Sequence, residues 1–187
     1  GDTDHHKDGW GIAFFEGVGC RLFIDARASI ESPVAELVRK YPIRSKNVIA
    51  HIRKATIGNI ALENTHPFRH ELWGRNWIFA HNGDLHGFHP ELSGYFTPVG
   101  TTDSEHAFCL ILETLRGLGK TQPHITDSAI GVVSQAIHNH HAAAGTIALV
   151  EGHGKILASL GAGLVDRLVV NMGGNLVFLG PLFCAPQ

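Results

Sequence analysis

One stretch of this 187-residue chain, Thr102 to Leu118, limits its fold more than any other. Ala107, Phe108, Ile111, Leu112, Leu115 and Leu118 recur three and four residues apart, the spacing of one helical face. Ahead of them, Thr102-Asp103-Ser104-Glu105 has the spacing of a capping box. In that motif a hydroxyl accepts the third helical N–H and the glutamate reaches back to the cap's own N–H. The pattern predicts a helix from about Ser104 to Leu118. Its apolar face must be buried, and most segments on either side are short and strand-like. Strands, then helices, then strands again imply sheets with helices packed against them, an α+β layered architecture.

Gly9 to Phe15 (GWGIAFF) reads as a buried strand, with Cys20 to Ala26 as its hairpin partner across Gly17-Val18-Gly19. Ser32-Pro33 opens a short helix to about Tyr41, serine as cap and proline at the first helical position. Asn47 to Arg53 is strand-like. Gly58 to Arg75 reads mostly as loop, punctuated by Asn64, His66-Pro67 and Gly74. Trp77 to His81 is a short strand running into Asn82-Gly83, and a loop from Asp84 to Thr101 follows. Thr126 caps a second helix to about His140, and strands are expected at 145–151, 155–160, 164–170 and 175–180. There is no internal repeat or linker, so residues 1–187 read as a single domain.

Composition excludes several classes of function. Lys+Arg (15) and Asp+Glu (17) nearly cancel, leaving no basic field for nucleic acid. A hydrophobic content of 44% is ample for a core and argues against disorder. The longest apolar stretch, Leu176 to Ala185, is interrupted by Gly180 and Pro181 and is far short of the roughly 20 residues of a membrane span. Cys20, Cys109 and Cys184 cannot all pair with one another, so free thiols in a reducing cytoplasm are expected.

The 14 histidines are the compositional oddity. His5-His6 and the cluster His138, His140 and His141 raise a rival reading, a metal-binding or sensing protein. These histidines stand in no HExxH motif and have neither cysteine partners nor carboxylates at a regular spacing. Solvated histidines complementing a helix C-terminus are the simpler account. No metal and no cofactor are expected.

Three segments place polar residues at the ends of apolar strands or at a helix start. Arg53, closing Ala50-His51-Ile52-Arg53, offers a planar fork that can hold a carboxylate by two parallel hydrogen bonds, or can serve a surface ion pair. In Phe79-Ala80-His81-Asn82-Gly83-Asp84, Asn-Gly is a strong hairpin-turn signal. The asparagine amide and the glycine N–H can also both point at a developing oxyanion. The 18-residue gap before the next helix weakens the plain hairpin reading. In Gly100-Thr101-Thr102-Asp103-Ser104-Glu105, only one of Thr102 and Asp103 is needed as the cap. The other is left to face a cleft, where a carboxylate can bind an ammonium group.

Together with Asp8-Gly9-Trp10-Gly11 and Glu63-Asn64-Thr65-His66-Pro67-Phe68, these segments resemble the class II glutamine amidotransferases, in motif order over roughly residues 5 to 118. That family belongs to the N-terminal-nucleophile hydrolases, and the similarity is to its small stand-alone members. The resemblance implies a four-layer αββα sandwich with the active site at the edge between the two sheets. It implies that Arg53 grips the α-carboxylate of glutamine with Thr56 lining the same pocket, and that Asp103 receives the α-ammonium. Asn82, through its side-chain amide, and Gly83, through its N–H, would form the oxyanion hole, with Gly9 and Trp10 at the pocket entrance. Asn64 and His66 would brace loops. The implied reaction is thiol attack on the γ-amide, with the chain's own α-amine as general base, through a thioester. The implied partner is a small-molecule substrate, with an ammonia acceptor or synthase subunit left open. Cleavage of γ-glutamyl peptides on the same fold is the alternative, and a non-catalytic ligand-binding relative a further one.

The sequence departs from the family at the nucleophile. The family's first-residue cysteine lies some tens of residues before the segment matching Asp8-Gly9-Trp10-Gly11, so it is expected upstream of Gly1, with the first strand. Cys20, Cys109 and Cys184 read instead as small core residues.

Overall fold

Alternation along the strands sorts the apolar residues into two layers, and the computed structural model shows what each layer covers. It describes residues 8–41, 43–45, 47–53, 59–85 and 87–119, together with the backbone of four later strands. The strands are β1 (Trp10–Glu16), β2 (Gly19–Asp25), β3 (Val48–Ile52), β4 (Phe68–Leu72), β5 (Arg75–Asn82), β6 (Thr146–Glu151), β7 (Lys155–Leu160), β8 (Leu168–Met172) and β9 (Asn175–Leu179). The helices are α1 (Pro33–Lys40) and α2 (Asp103–Leu118).

The strands form two sheets, in the orders β2-β1-β3-β8-β9 and β4-β5-β6-β7, with antiparallel neighbours. Ala13 and Phe15 of β1 and Ile49 of β3 meet Ile78 and Ala80 of β5, closing the sheets face to face. The intervening residues of β5, Trp77 and Phe79, point to the other side. There they join Phe68 and Leu72 of β4 against Ala107, Phe108, Ile111, Leu112 and Leu115 of α2. Phe79 and Phe108 stack at 5.1 Å between ring centroids. Helix α1 packs against β2. The result is the α+β sandwich, with helix, sheet, sheet and helix in turn. Burying each large side chain of α2 supplies roughly 1.5–3 kcal/mol, which is why the periodicity there dictates the fold.

The start of α1 follows its sequence signal. Ser32 Oγ accepts the Ala35 N–H and Pro33 occupies the first helical position. At α2, Thr102 is the cap and accepts the Glu105 N–H at 3.2 Å, but Glu105 does not complete a capping box. Its carboxylate reaches further upstream, to the N–H groups of Val99 (3.0 Å) and Gly100 (2.7 Å), and so holds the preceding loop. Glu113 acts likewise on the N–H groups of Ser93, Gly94, Tyr95 and Phe96. The long segment after β5 is thereby laid along α2, and its Leu85 and Phe88 enter the core.

Two further sequence expectations need correction. The loop expected across 58–75 contains β4, whose Phe68 and Leu72 face the core while Arg69 and Glu71 face solvent. Its turn to β5 uses Trp73 at φ 60°, a conformation that residue type does not advertise. The strand expected at 164–170 begins at Leu168 and pairs with β3 through Ile49↔Val170. The helix expected from Thr126 to His140, and the histidines within it, lie outside the described residues, as do His5 and His6.

Candidate functional site

The polar residues that close β3 and β5 come together with the start of α2 at one end of the sandwich. Arg53 follows β3 directly and is 4% exposed. Its N–H donates to the Gly9 carbonyl at 2.8 Å, and its Nη1 donates to the Asn59 carbonyl at 3.1 Å, fixing both backbone and side chain. Burial lowers the guanidinium's pKa and Asp8 opposes that shift by its charge, so a carboxylate stands within electrostatic range of the buried cation. Gly9 has φ 108°, and a Cβ there would lie 3.1 Å from both the Asp25 carbonyl and Thr65 Oγ1. Only glycine fits this junction without displacing one of them. Trp10 beside it is buried, and its Nε1 has no hydrogen-bond partner among the described residues.

On the second sheet, strand alternation sends His81 toward α2 and Asn82 toward the side of Ile78 and Ala80, between the sheets. Asn82 is the last residue of β5, half-buried, with Gly83 next. His81 Nδ1 lies 3.0 Å from Ser104 Oγ. Burial pushes its imidazole down to about 4, against the opposing pull of Asp103. Asp103 is the first residue of α2. Its Oδ2 accepts the Leu85 N–H at 2.6 Å and its Oδ1 accepts the Ser104 N–H at 2.7 Å and the Ser104 hydroxyl at 3.1 Å. The cap of the helix is thus Thr102, and Asp103 makes other bonds, to Leu85 and Ser104.

His51 and His66 meet with ring centroids 4.5 Å apart and ring planes tilted by 39°, and the Phe68 ring lies 4.4 Å from that of His66, tilted by 53°. Both ring nitrogens of His66 are buried without a hydrogen-bond partner among the described residues. Burial holds its pKa well below the usual imidazole range, and His51, His81 and Arg53 add to the depression. That shared influence places Arg53 and the end of β5 in one electrostatic neighbourhood. The sequence gives His66 a loop-bracing role and does not single out its contact with His51, because 15 residues separate the pair. Asn64 does tie loops together: its Oδ1 accepts the Thr101 N–H at 2.8 Å and its Nδ2 donates to the Asn59 carbonyl at 3.0 Å. Thr56 lies outside the described residues.

Neither described cysteine suits nucleophilic attack. Burial pushes the Cys20 thiol up to about 11, with Arg69 opposing. The Cys109 thiol, inside α2, rises to about 12 through burial and the charges of Glu105 and Glu113. Thiols this reluctant to ionise are poor nucleophiles. Cys184 lies outside the described residues. Among the described residues no group of three His, Cys, Asp or Glu side chains could hold a metal ion, and no helix is long and apolar enough to cross a membrane.

The family model for glutamine amidotransferases of class II matches residues 1–170. An Escherichia coli protein named "Putative glutamine amidotransferase YafJ" is 60% identical over 115 residues, which are 62% of this chain and 45% of that protein. A Haemophilus influenzae protein with the name "Putative glutamine amidotransferase" is 49% identical over 143 residues, 75% of this chain and 48% of the other. The chain therefore spans less than half the length of these curated relatives. Among solved structures, one described as a "predicted glutamine amidotransferase" from Pseudomonas aeruginosa aligns with a TM-score of 0.61 at 28% identity, covering 95% of this chain and 87% of that one. The glutamine phosphoribosylpyrophosphate amidotransferase of Bacillus subtilis aligns over 88% of this chain and 30% of its own, with a TM-score of 0.51 at 16% identity, a likeness of fold alone.

Proposed function

The chain belongs to the class II glutamine amidotransferases, and on that premise we propose that it cleaves the γ-amide of glutamine. The observation that carries this reading is the juxtaposition at the sandwich end of a buried cation, a carboxylate and an Asn-Gly pair, each at the close of a strand or the start of a helix. A zwitterionic amino acid needs a fixed anion-binder, a fixed cation-binder and donors at its reacting carbonyl. Arg53 receives the α-carboxylate through its planar guanidinium. Asp103 receives the α-ammonium. An ionised carboxylate has about four acceptor sites, and the three hydrogen bonds to Asp103 leave room for one more. Gly9, whose carbonyl accepts the Arg53 N–H, and its neighbour Trp10 are taken in this reading to border the same pocket.

Chemistry then follows from an attacking thiol and a prepared oxyanion site. The nucleophile in this reading is an N-terminal cysteine preceding residue 1, with its α-amine as base. Its sulfur adds to the γ-carbonyl carbon, and the electron pair moves to the oxygen held by the Asn82 amide and the Gly83 N–H. Collapse of that intermediate expels ammonia, which takes the proton relayed by the α-amine, and leaves a γ-glutamyl thioester. Water then releases glutamate and restores the thiol. A partner that consumes the ammonia is compatible with the same chemistry.

The test is glutamate release from glutamine by the natural-length protein and its Asn82→Ala variant. Loss of one oxyanion donor is expected to lower kcat by about 10²–10³ with little change in thermal stability. A rate within about tenfold of wild type would remove Asn82 from the oxyanion site.

A further inference from the structure

A directed hydrogen-bond chain links the end of β5 to the start of α2, and two of its three residues, His81 and Ser104, have no part in the reaction as described above. His81 immediately precedes Asn82 and points away from it, toward α2, where its Nδ1 meets Ser104 Oγ at 3.0 Å. Ser104 Oγ lies 3.1 Å from Asp103 Oδ1. A serine hydroxyl has a single proton to give, and between a carboxylate and a neutral imidazole nitrogen the carboxylate is the stronger acceptor. The hydroxyl therefore donates to Asp103 and accepts from His81, which fixes the imidazole proton on Nδ1. The chain runs His81 Nδ1–H to Ser104 Oγ–H to Asp103 Oδ1. His81 and Ser104 are 3% and 4% exposed, so water does not compete for these bonds.

We propose that His81 and Ser104 are positioning residues that hold the Asp103 carboxylate, and with it the discrimination for an α-ammonium group, in register with the end of β5. The proposal rests on the reading of Asp103 given above. The backbone around Asp103 supports it. Oδ2 is tied to the Leu85 N–H two residues beyond Gly83, and Oδ1 to the N–H and hydroxyl of Ser104. The carboxylate thus has its orientation set from the strand side and from the helix side at once. Removing the hydroxyl takes away one donor to Asp103 and leaves the His81 N–H without its acceptor. The side chain then has one bond fewer to resist rotation when the ammonium arrives.

The experiment compares two ligands that differ only in that ammonium. Calorimetric titrations of L-glutamate and of glutarate into the full-length protein are measured for wild type, Ser104→Ala, Ser104→Thr, His81→Leu and His81→Asn, beside thermal unfolding of each. Wild type is expected to prefer glutamate. Ser104→Ala is expected to weaken glutamate binding about tenfold, the loss of one hydrogen bond to a charged group, while glutarate binding stays within about twofold. Ser104→Thr, which keeps the hydroxyl, is expected to restore most of the preference. His81→Leu should weaken it, and His81→Asn, whose amide presents an N–H near the Nδ1 position, should do so less. If Ser104→Ala does not fold, the His81 pair carries the same comparison. Equal weakening of both ligands, or an undiminished preference in the folded variants, overturns the proposal. A wild type that binds glutarate as well as glutamate overturns instead the assignment of Asp103 to the ammonium.

Discussion

Gly11 is a position at which a single methyl group should do heavy damage, because it would meet backbone that cannot easily move. It lies on β1, paired on one side with Ile24 of β2 and on the other with His51 of β3. A Cβ built there would overlap the carbonyl oxygen of His66 and stand 2.7 Å from Ile24 Cγ2 and 2.9 Å from Pro67 Cδ. The worst contact is with backbone, and β1 cannot slide away because both its edges are hydrogen-bonded. Overpacking of this kind costs about 1–3 kcal/mol. A Gly→Ala change returns roughly 0.4–1 kcal/mol through the unfolded chain, so a net loss of about 1 kcal/mol is expected for Gly11→Ala. For a domain of this size that lowers Tm by roughly 2–4 °C. Gly117 supplies the internal control. It lies in α2 with no heavy atom within 4 Å of its virtual Cβ, so Gly117→Ala should stabilise by up to about 1 kcal/mol. Urea unfolding of both variants, with unchanged m-values, measures the two effects. A Gly11→Ala midpoint equal to wild type would refute the close approach of β1 to the His66-Pro67 segment.

Three further outcomes are expected. Arg53→Lys keeps the charge but loses the planar fork, so the glutamine KM should rise about tenfold or more while kcat falls less, read from steady-state kinetics. Gly100→Ala puts a methyl group into Asn64 Oδ1 and within 2.7 Å of the Glu63 carbonyl, so it should loosen the loop ahead of α2, seen as faster amide exchange at Val99 to Thr101. Stability should fall on acidification through His81. Its folded pKa of about 4 lies below the unfolded value near 6.5, so the unfolded state takes up the proton first. That stability is fully present above about pH 6.5 and declines toward pH 4, by about 3 kcal/mol for this group. His81→Asn should flatten that part of the stability–pH curve, which urea midpoints from pH 7 to 4 would show.

The sequence made some of this legible and hid the rest for physical reasons. Helix α2 could be read because five of its apolar side chains are buried on one face, so tertiary packing enforces the same spacing that propensity suggests. Arg53, Asn82 and Asp103 each had an ordinary structural reading, as ion pair, turn or cap, and stood out only because their segments occur together in a family's motif order. Strand β4 was hidden, since Phe-Arg-His-Glu-Leu buries only its two ends well and breakers surround it. What fixes it as a strand is pairing with β5, Phe68 opposite Phe79, which no local signal reports. The capping box was half right because Glu105 found two N–H groups upstream of its usual target. The His51–His66 ring contact and the link from His81 to Ser104 are tertiary. Their partners are 15 and 23 residues apart, and only the folded sheets bring them together.

The measurement that tests the central claim most directly is rapid acid quench of the natural-length protein with glutamine, followed by peptide mass spectrometry. The account predicts ammonia release and a γ-glutamyl adduct on an N-terminal cysteine, convertible to the hydroxamate by hydroxylamine. An adduct on Cys20 or Cys109, or glutamine left intact by a protein whose mature chain begins with cysteine, would contradict it.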